Sequence, residues 1–118
     1  MRKLAASLVT ILVLAGLSAA APKAKTFTGE IMDNMCAAAG SHKGMEDMFH
    51  IGDDPKKCTL ECVAKGGKFV LYNSETKTIY QLDDQEKPKE FAGQKVRVTG
   101  TYDRSTKTIH VQTIEAAA

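Results

Sequence analysis

The chain has 118 residues, with 16 Lys+Arg against 14 Asp+Glu, three cysteines and no tryptophan. That length supports one small domain with a modest core. So small a charge excess, with few arginines, excludes the basic surface that a nucleic-acid binder needs.

Residues 1–20 read as a secretory signal peptide. Arg2 and Lys3 precede an apolar run, then Ser18 and Ala20 offer the small residues of a cleavage site. The run is too short for a membrane span, so no span is expected after cleavage and the location is periplasmic or secreted. Taking Arg2 and Lys3 from the 16 basic residues leaves 14 against 14, a formally neutral mature chain of residues 21–118. A domain of that size in an oxidising compartment gains stability from a disulfide or a bound metal.

The mature chain opens on "KTFTGEIMD", which sets Phe27, Gly29 and Ile31 against Thr28, Glu30 and Met32 as in a strand. An insert of different composition follows over residues 33–66, holding all three cysteines, His42 and His50, and Met35, Met45 and Met48. Within it, Asp54 and Pro55 form a helix start and Gly66 and Gly67 a helix end, predicting a helix from Pro55 to Lys65. "KFVLYN" then alternates Phe69 and Leu71 against Val70 and Tyr72. "SETK" turns the chain into a return strand, Thr78–Leu82.

"DDQEKPKEFAG" is charged and weakly helical, and its spacing does not suit a calcium loop. "QKVRVTGTYD" puts Val96, Val98 and Gly100 on one face, and "KTIHVQTIE" forms the last strand with Ile109 and Val111 inward and His110 outward. Five strands in this order predict a mainly β fold, a small five-stranded OB-fold-like barrel with a helical, Cys- and His-bearing insert between strands 1 and 2. Gly29 and Gly100 fit places where a small barrel bends sharply. An open antiparallel sheet carrying one helix is the alternative.

The chemistry concentrates in the insert. Cys58 and Cys62, at i and i+4 of the expected helix, share one face. Their Cβ separation of about 5–6 Å exceeds the roughly 3.5–4.5 Å of a disulfide, so the pair points at a third group. Cys36, His42, Cys58 and Cys62 make a Cys3His set suited to zinc, although C-x5-H-x15-C-x3-C is not a common finger spacing. His50 competes for the fourth place. His42, Met45 and Met48 recur every third residue and offer soft ligands to copper, or else Met45, Met48 and Phe49 form the apolar face of a short helix over the barrel mouth.

The alternative for the thiols is a disulfide from Cys36 to Cys58 or Cys62 with one thiol spare, worth about 3 kcal/mol. The module would then bind a protein or small ligand without metal. Tyr72, Tyr80 and Tyr102 are the candidate ligand face on the barrel. A thiol redox protein is a third possibility, weakened because Cys58 and Cys62 are separated by three residues rather than two. No phosphate-binding loop, serine elbow or zinc-protease motif is present, and a Cys36/His42 nucleophile pair would lack an orienting residue beyond Asp33, so an enzyme is the minor expectation.

The stretches "FTGEIMDNMC", "SHKGM", "CTLECVAKGGKFVLY", "YQLDDQ", "FAGQKVRVTGTYD" and "TIHVQTIE" together resemble a family of small exported bacterial proteins of uncharacterised function. The resemblance implies an OB-like β-barrel and brings no activity with it. The positions matching its cysteine and histidine pattern are Cys36, His42, Cys58 and Cys62. The second half is similar, more loosely, to periplasmic OB-fold proteins of stress responses, a likeness at the level of fold.

Overall fold

A computed structural model describes residues 23–117, and the expected signal peptide, residues 1–20, lies outside them. The elements run β1 (Lys25–Asp33), α1 (Asn34–Ala39), α2 (Lys43–Phe49), α3 (Pro55–Ala64), β2 (Phe69–Asn73), β3 (Thr78–Leu82), a 3-10 turn (Lys87–Phe91), β4 (Lys95–Asp103) and β5 (Thr108–Ala116). Among the described residues, no helix is long and apolar enough to cross a membrane.

The five strands close on themselves in the order β1-β2-β3-β5-β4, with β4 returning to β1. Among the described residues, the strands pair antiparallel except β3 with β5, which meet in parallel at Gln81–Thr108 and Leu82–Ile109. Strand alternation fills the ring. Ile31, Phe69, Leu71, Leu82, Val96, Val98 and Ile109 form one core cluster with Ala92. Phe27, Tyr80 and Tyr102 pack against that cluster and against each other, with ring centroids 5.2–5.7 Å apart.

The two four-residue turns share a design. Asn73 Oδ1 accepts from the Glu75 and Thr76 amides, and Asp103 Oδ1 accepts from the Ser105 amide. Such side chains replace backbone partners in a turn and fix its start. Each turn ends on a lysine in the left-handed region, Lys77 at φ 56° and Lys107 at φ 53°.

Closure demands close backbone approaches. A Cβ on Gly100 would lie 2.2 Å from the His110 carbonyl oxygen, and Gly100 sits at the register shift in the β4–β5 ladder. A Cβ on Gly29 would lie 2.4 Å from the Tyr72 carbonyl. Both glycines thus stand where backbones approach too closely for a side chain, and Gly100 also marks an irregularity in its ladder.

The link between β3 and β4 departs from a weak helix. Lys87–Phe91 is a 3-10 turn, with Pro88 buried. Asp84 Oδ1 accepts from the Glu86 and Lys87 amides at the turn's start. Gln85 extends the sheet with its side chain, accepting from the Phe69 amide and donating to the Phe69 and Leu82 carbonyls. Beyond the turn, the Ile31 amide donates to the Gln94 carbonyl and the Gly93 amide to the Ile31 carbonyl.

β2 is apolar on both sides because both sides are covered. Phe69 and Leu71 enter the ring, whereas Val70 and Tyr72 face a second cluster with Met32, Cys36, Ala37, Cys58 and Cys62. The three helices of the insert thus lie over the outer face of β1 and β2, while Val63 of α3 packs against the ring's own core. The predicted helix Pro55–Lys65 is present as Pro55–Ala64, with Asp54 accepting from the Lys57 amide and Lys65 as its C-cap.

Candidate metal centre

Four chain segments converge beneath the insert. Asp33 ends β1 and caps α1: its Oδ2 accepts from the Met35 and Cys36 amides at 3.1 and 2.9 Å. The other oxygen, Oδ1, is buried without a partner, and the residue is fully enclosed. Cys36 lies in the first turn of α1, Cys58 in the first turns of α3. Their sulfurs are 3.7 Å apart, and Cys58 Sγ is 3.9 Å from the His42 carbonyl oxygen.

His42 caps α2, its carbonyl accepting from the Met45 and Glu46 amides. One ring nitrogen, Nε2, is bonded to Glu30 Oε2 at 2.5 Å; the other, Nδ1, is buried without a partner. Ligand atoms of Asp33, Cys36, His42 and Cys58 all lie within 4.8 Å of one another. A buried polar atom left unpaired costs about 1–3 kcal/mol, and here two such atoms belong to one cluster of ligand-type residues. A cation coordinated by Asp33 Oδ1 and His42 Nδ1 would satisfy both.

The electrostatics are those of a buried, acidic pocket. Burial and the neighbouring Asp33 carboxylate push the Cys36 thiol far above the ordinary cysteine range. Burial also raises Cys58, and with the Asp33 and Cys58 charges it raises Cys62 to about 11. The bond to Glu30 lifts the His42 pKa above its ordinary value against the opposing effect of burial. In the metal-free molecule the thiols therefore hold their protons, and a metal would have to displace them.

The other residues singled out by the sequence fall as follows. Cys62 is buried in the same cluster but lies outside the group of four. His50 is the exposed C-cap of α2, at φ 54°. Met45 and Phe49 pack half-buried against the cluster, while Met48 is 64 % exposed. The three tyrosines do not share a face: Tyr72 packs under the insert, and Tyr80 and Tyr102 join Phe27 against the ring's core. His110 is exposed as expected and pairs with Asp83.

Sequence reasoning passed over Asp33 as a member of the group of four and Glu30 as the partner of His42. A signal for each was present. Asp33 sits three residues before Cys36 in "DNMC", the spacing at which a helix-capping carboxylate meets the third amide. Glu30 alternates with Met32 on the face of β1 opposite Ile31, and that is the face the insert covers. A cavity of about 760 Å³ opens between the insert and this face, and its lining includes Glu30, His42, Met32, Glu46, Tyr72 and Val96.

No curated protein and no solved structure matches the chain. A family model described as "Protein of unknown function (DUF5818)" matches residues 63–117. The matched stretch runs from the end of α3 through β5, so it contains four of the five strands and none of Asp33, Cys36, His42, Cys58 and Cys62. The chain is thus similar to that family through its β framework, and the cluster under the insert is a property read from this chain's own residues.

Proposed function

We propose that this chain is a small exported metal-binding protein, an OB-like barrel whose helical cap closes over a zinc site, with copper as the second candidate. The observation that carries the reading is the coincidence of four ligand-type side chains within 4.8 Å with two unpartnered buried atoms among them, Asp33 Oδ1 and His42 Nδ1. Two thiolates each about 2.3 Å from a tetrahedral zinc stand about 3.8 Å apart, which the 3.7 Å between Cys36 and Cys58 matches. Asp33, Cys36, His42 and Cys58 would then be the ligands, with Cys62 the alternative to Asp33 in a Cys3His set. The strand order, closed by the parallel β3–β5 contact, supports the OB-like description.

A metal so placed would tie β1 to all three helices of the cap, so its first role is to hold the cap on the barrel. The sequence of residues 1–20 supports export. A second reading rests on the same sulfur pair: oxidised rather than metal-bound, Cys36 and Cys58 would staple the cap, and the barrel would engage a protein or small ligand. Native mass spectrometry of the protein purified from the periplasm separates the two. One bound zinc or copper with three reduced thiols is the expected result. A metal-free mass lighter by two hydrogens would overturn it in favour of the staple.

A further inference from the structure

We infer that Glu30 is a positioning residue of this centre: it holds Nε2 of His42 so that Nδ1 is the ligand nitrogen, and it sets that ligand in the cavity wall through which metal reaches the site. The inference rests on the metal-binding reading above and assigns a part to a residue outside the ligand group. The argument begins with strand alternation. Glu30 projects from β1 on the side of Met32, toward the cap, while Asp33 ends the same strand at the start of α1. The Glu30 side chain is thus carried by a strand residue paired on both sides, with Tyr72 of β2 and Lys95 of β4, while His42 sits on the junction leading into α2.

A metal-binding histidine commonly gives its second ring nitrogen to a carboxylate, which fixes the tautomer and makes the ligand nitrogen more basic. Here the carboxylate is on Nε2 and the unpartnered nitrogen is Nδ1. Ligation through Nε2 would require the Glu30 bond to break and the ring to turn over inside a residue that is only 9 % exposed. The same pair marks the open side of the site. Cys36 and Cys58 are 1 % and 0 % exposed, whereas the Glu30 side chain is 25 % exposed and lines the 760 Å³ cavity with His42. Metal arriving through that cavity meets Glu30 and His42 before the sulfurs.

The test is zinc titration of the full chain, its Glu30→Gln variant and its Glu30→Ala variant, with long-range proton–nitrogen NMR of the histidines. In the wild type with zinc bound, His42 should show a metal-bound Nδ1 and a protonated Nε2. Glu30→Ala should bind zinc roughly 10–100-fold more weakly and release it faster to a chelator. Glu30→Gln, whose amide oxygen can still accept from Nε2–H, should keep the tautomer and lose less affinity. A metal-bound Nε2 in the wild type, or unchanged affinity in both variants, would overturn this role for Glu30 and leave the metal site standing. Failure of the wild type to take up zinc or copper would overturn the metal reading, and this inference with it. The wild-type NMR measurement decides the question even if Glu30→Ala fails to fold.

Discussion

Cys36 and Cys58 are 22 residues apart in the chain, and their sulfurs lie 3.7 Å from each other beneath the cap. Helix spacing sets Cys58 and Cys62 on one face, yet the sulfur that stands 3.7 Å from Cys58 comes from another helix, α1. Mild oxidation of metal-free protein should therefore join Cys36 to Cys58. Peptide mapping by mass spectrometry would show that bridge, and saturating zinc should suppress it. A dominant Cys58–Cys62 bridge would contradict the geometry.

Ligand membership is open to substitution. Cys36→Ala and Cys58→Ala should each abolish one-to-one zinc binding in native mass spectrometry. If Asp33 is the fourth ligand, Cys62→Ala retains the metal while Asp33→Asn weakens it by at least tenfold, the loss typical of a disturbed metal shell. Loss of metal in Cys62→Ala with retention in Asp33→Asn would instead establish the Cys3His set. Because Asp33 also caps α1, Asp33→Asn is the better probe than Asp33→Ala: asparagine is itself a good cap.

Two glycine-to-alanine changes should move stability in opposite directions. Gly100→Ala drives a Cβ against the His110 carbonyl in the β4–β5 ladder, and the forced backbone shift should cost about 1–3 kcal/mol in urea unfolding. Gly44→Ala, inside α2 with nothing within 4 Å of the new Cβ, should stabilise by about 0.4–1 kcal/mol through the unfolded chain. Equal effects at the two sites would argue against the closed register described here.

The acid limb of the stability curve should carry a contribution from Asp84. Its bond to the Lys87 ammonium, with the Lys87 and Glu86 amides, lowers its pKa from 3.8 to about 2. A carboxylate depressed in the folded state stabilises above its unfolded pKa and loses that effect as pH falls through the folded one. The window is thus from just above 3.8 down to about 2. Carboxyl NMR should place the Asp84 midpoint at the lower end, and Asp84→Asn should flatten the pH dependence of melting across that window. The site is solvent-exposed, so added salt should shrink the effect.

The strands were legible because each carries its own period. "KTFTGEIMD" and "TIYQL" mark β1 and β3 to the residue, and Phe69/Leu71 against Val70/Tyr72 give the alternation of β2, although that both of its sides are covered emerges only from the fold. The helix at Pro55 was legible from Asp54, a local capping signal. The ligand group was only partly so. Cys36, His42 and Cys58 stand out by residue type, but Asp33 reads first as a cap and Glu30 as an ordinary strand residue. Their convergence depends on the cap folding back across β1 and β2, a long-range event with no periodic trace. Met48 illustrates the same limit: its spacing from His42 and Met45 suggests a shared face, yet it points to solvent.

The double covering of β2 has a consequence for how the molecule comes apart. Val70 and Leu71 are neighbours in sequence, both fully buried, one beneath the cap and the other inside the ring. Neither compartment can be opened without stripping one side of the same five-residue strand. Cap and ring should therefore melt in a single transition, and an ion bound only under the cap should raise the melting temperature of the whole protein in proportion to the logarithm of its concentration. An ordinary thermal-shift assay, blind to the site itself, would then rank metals by their affinity for it.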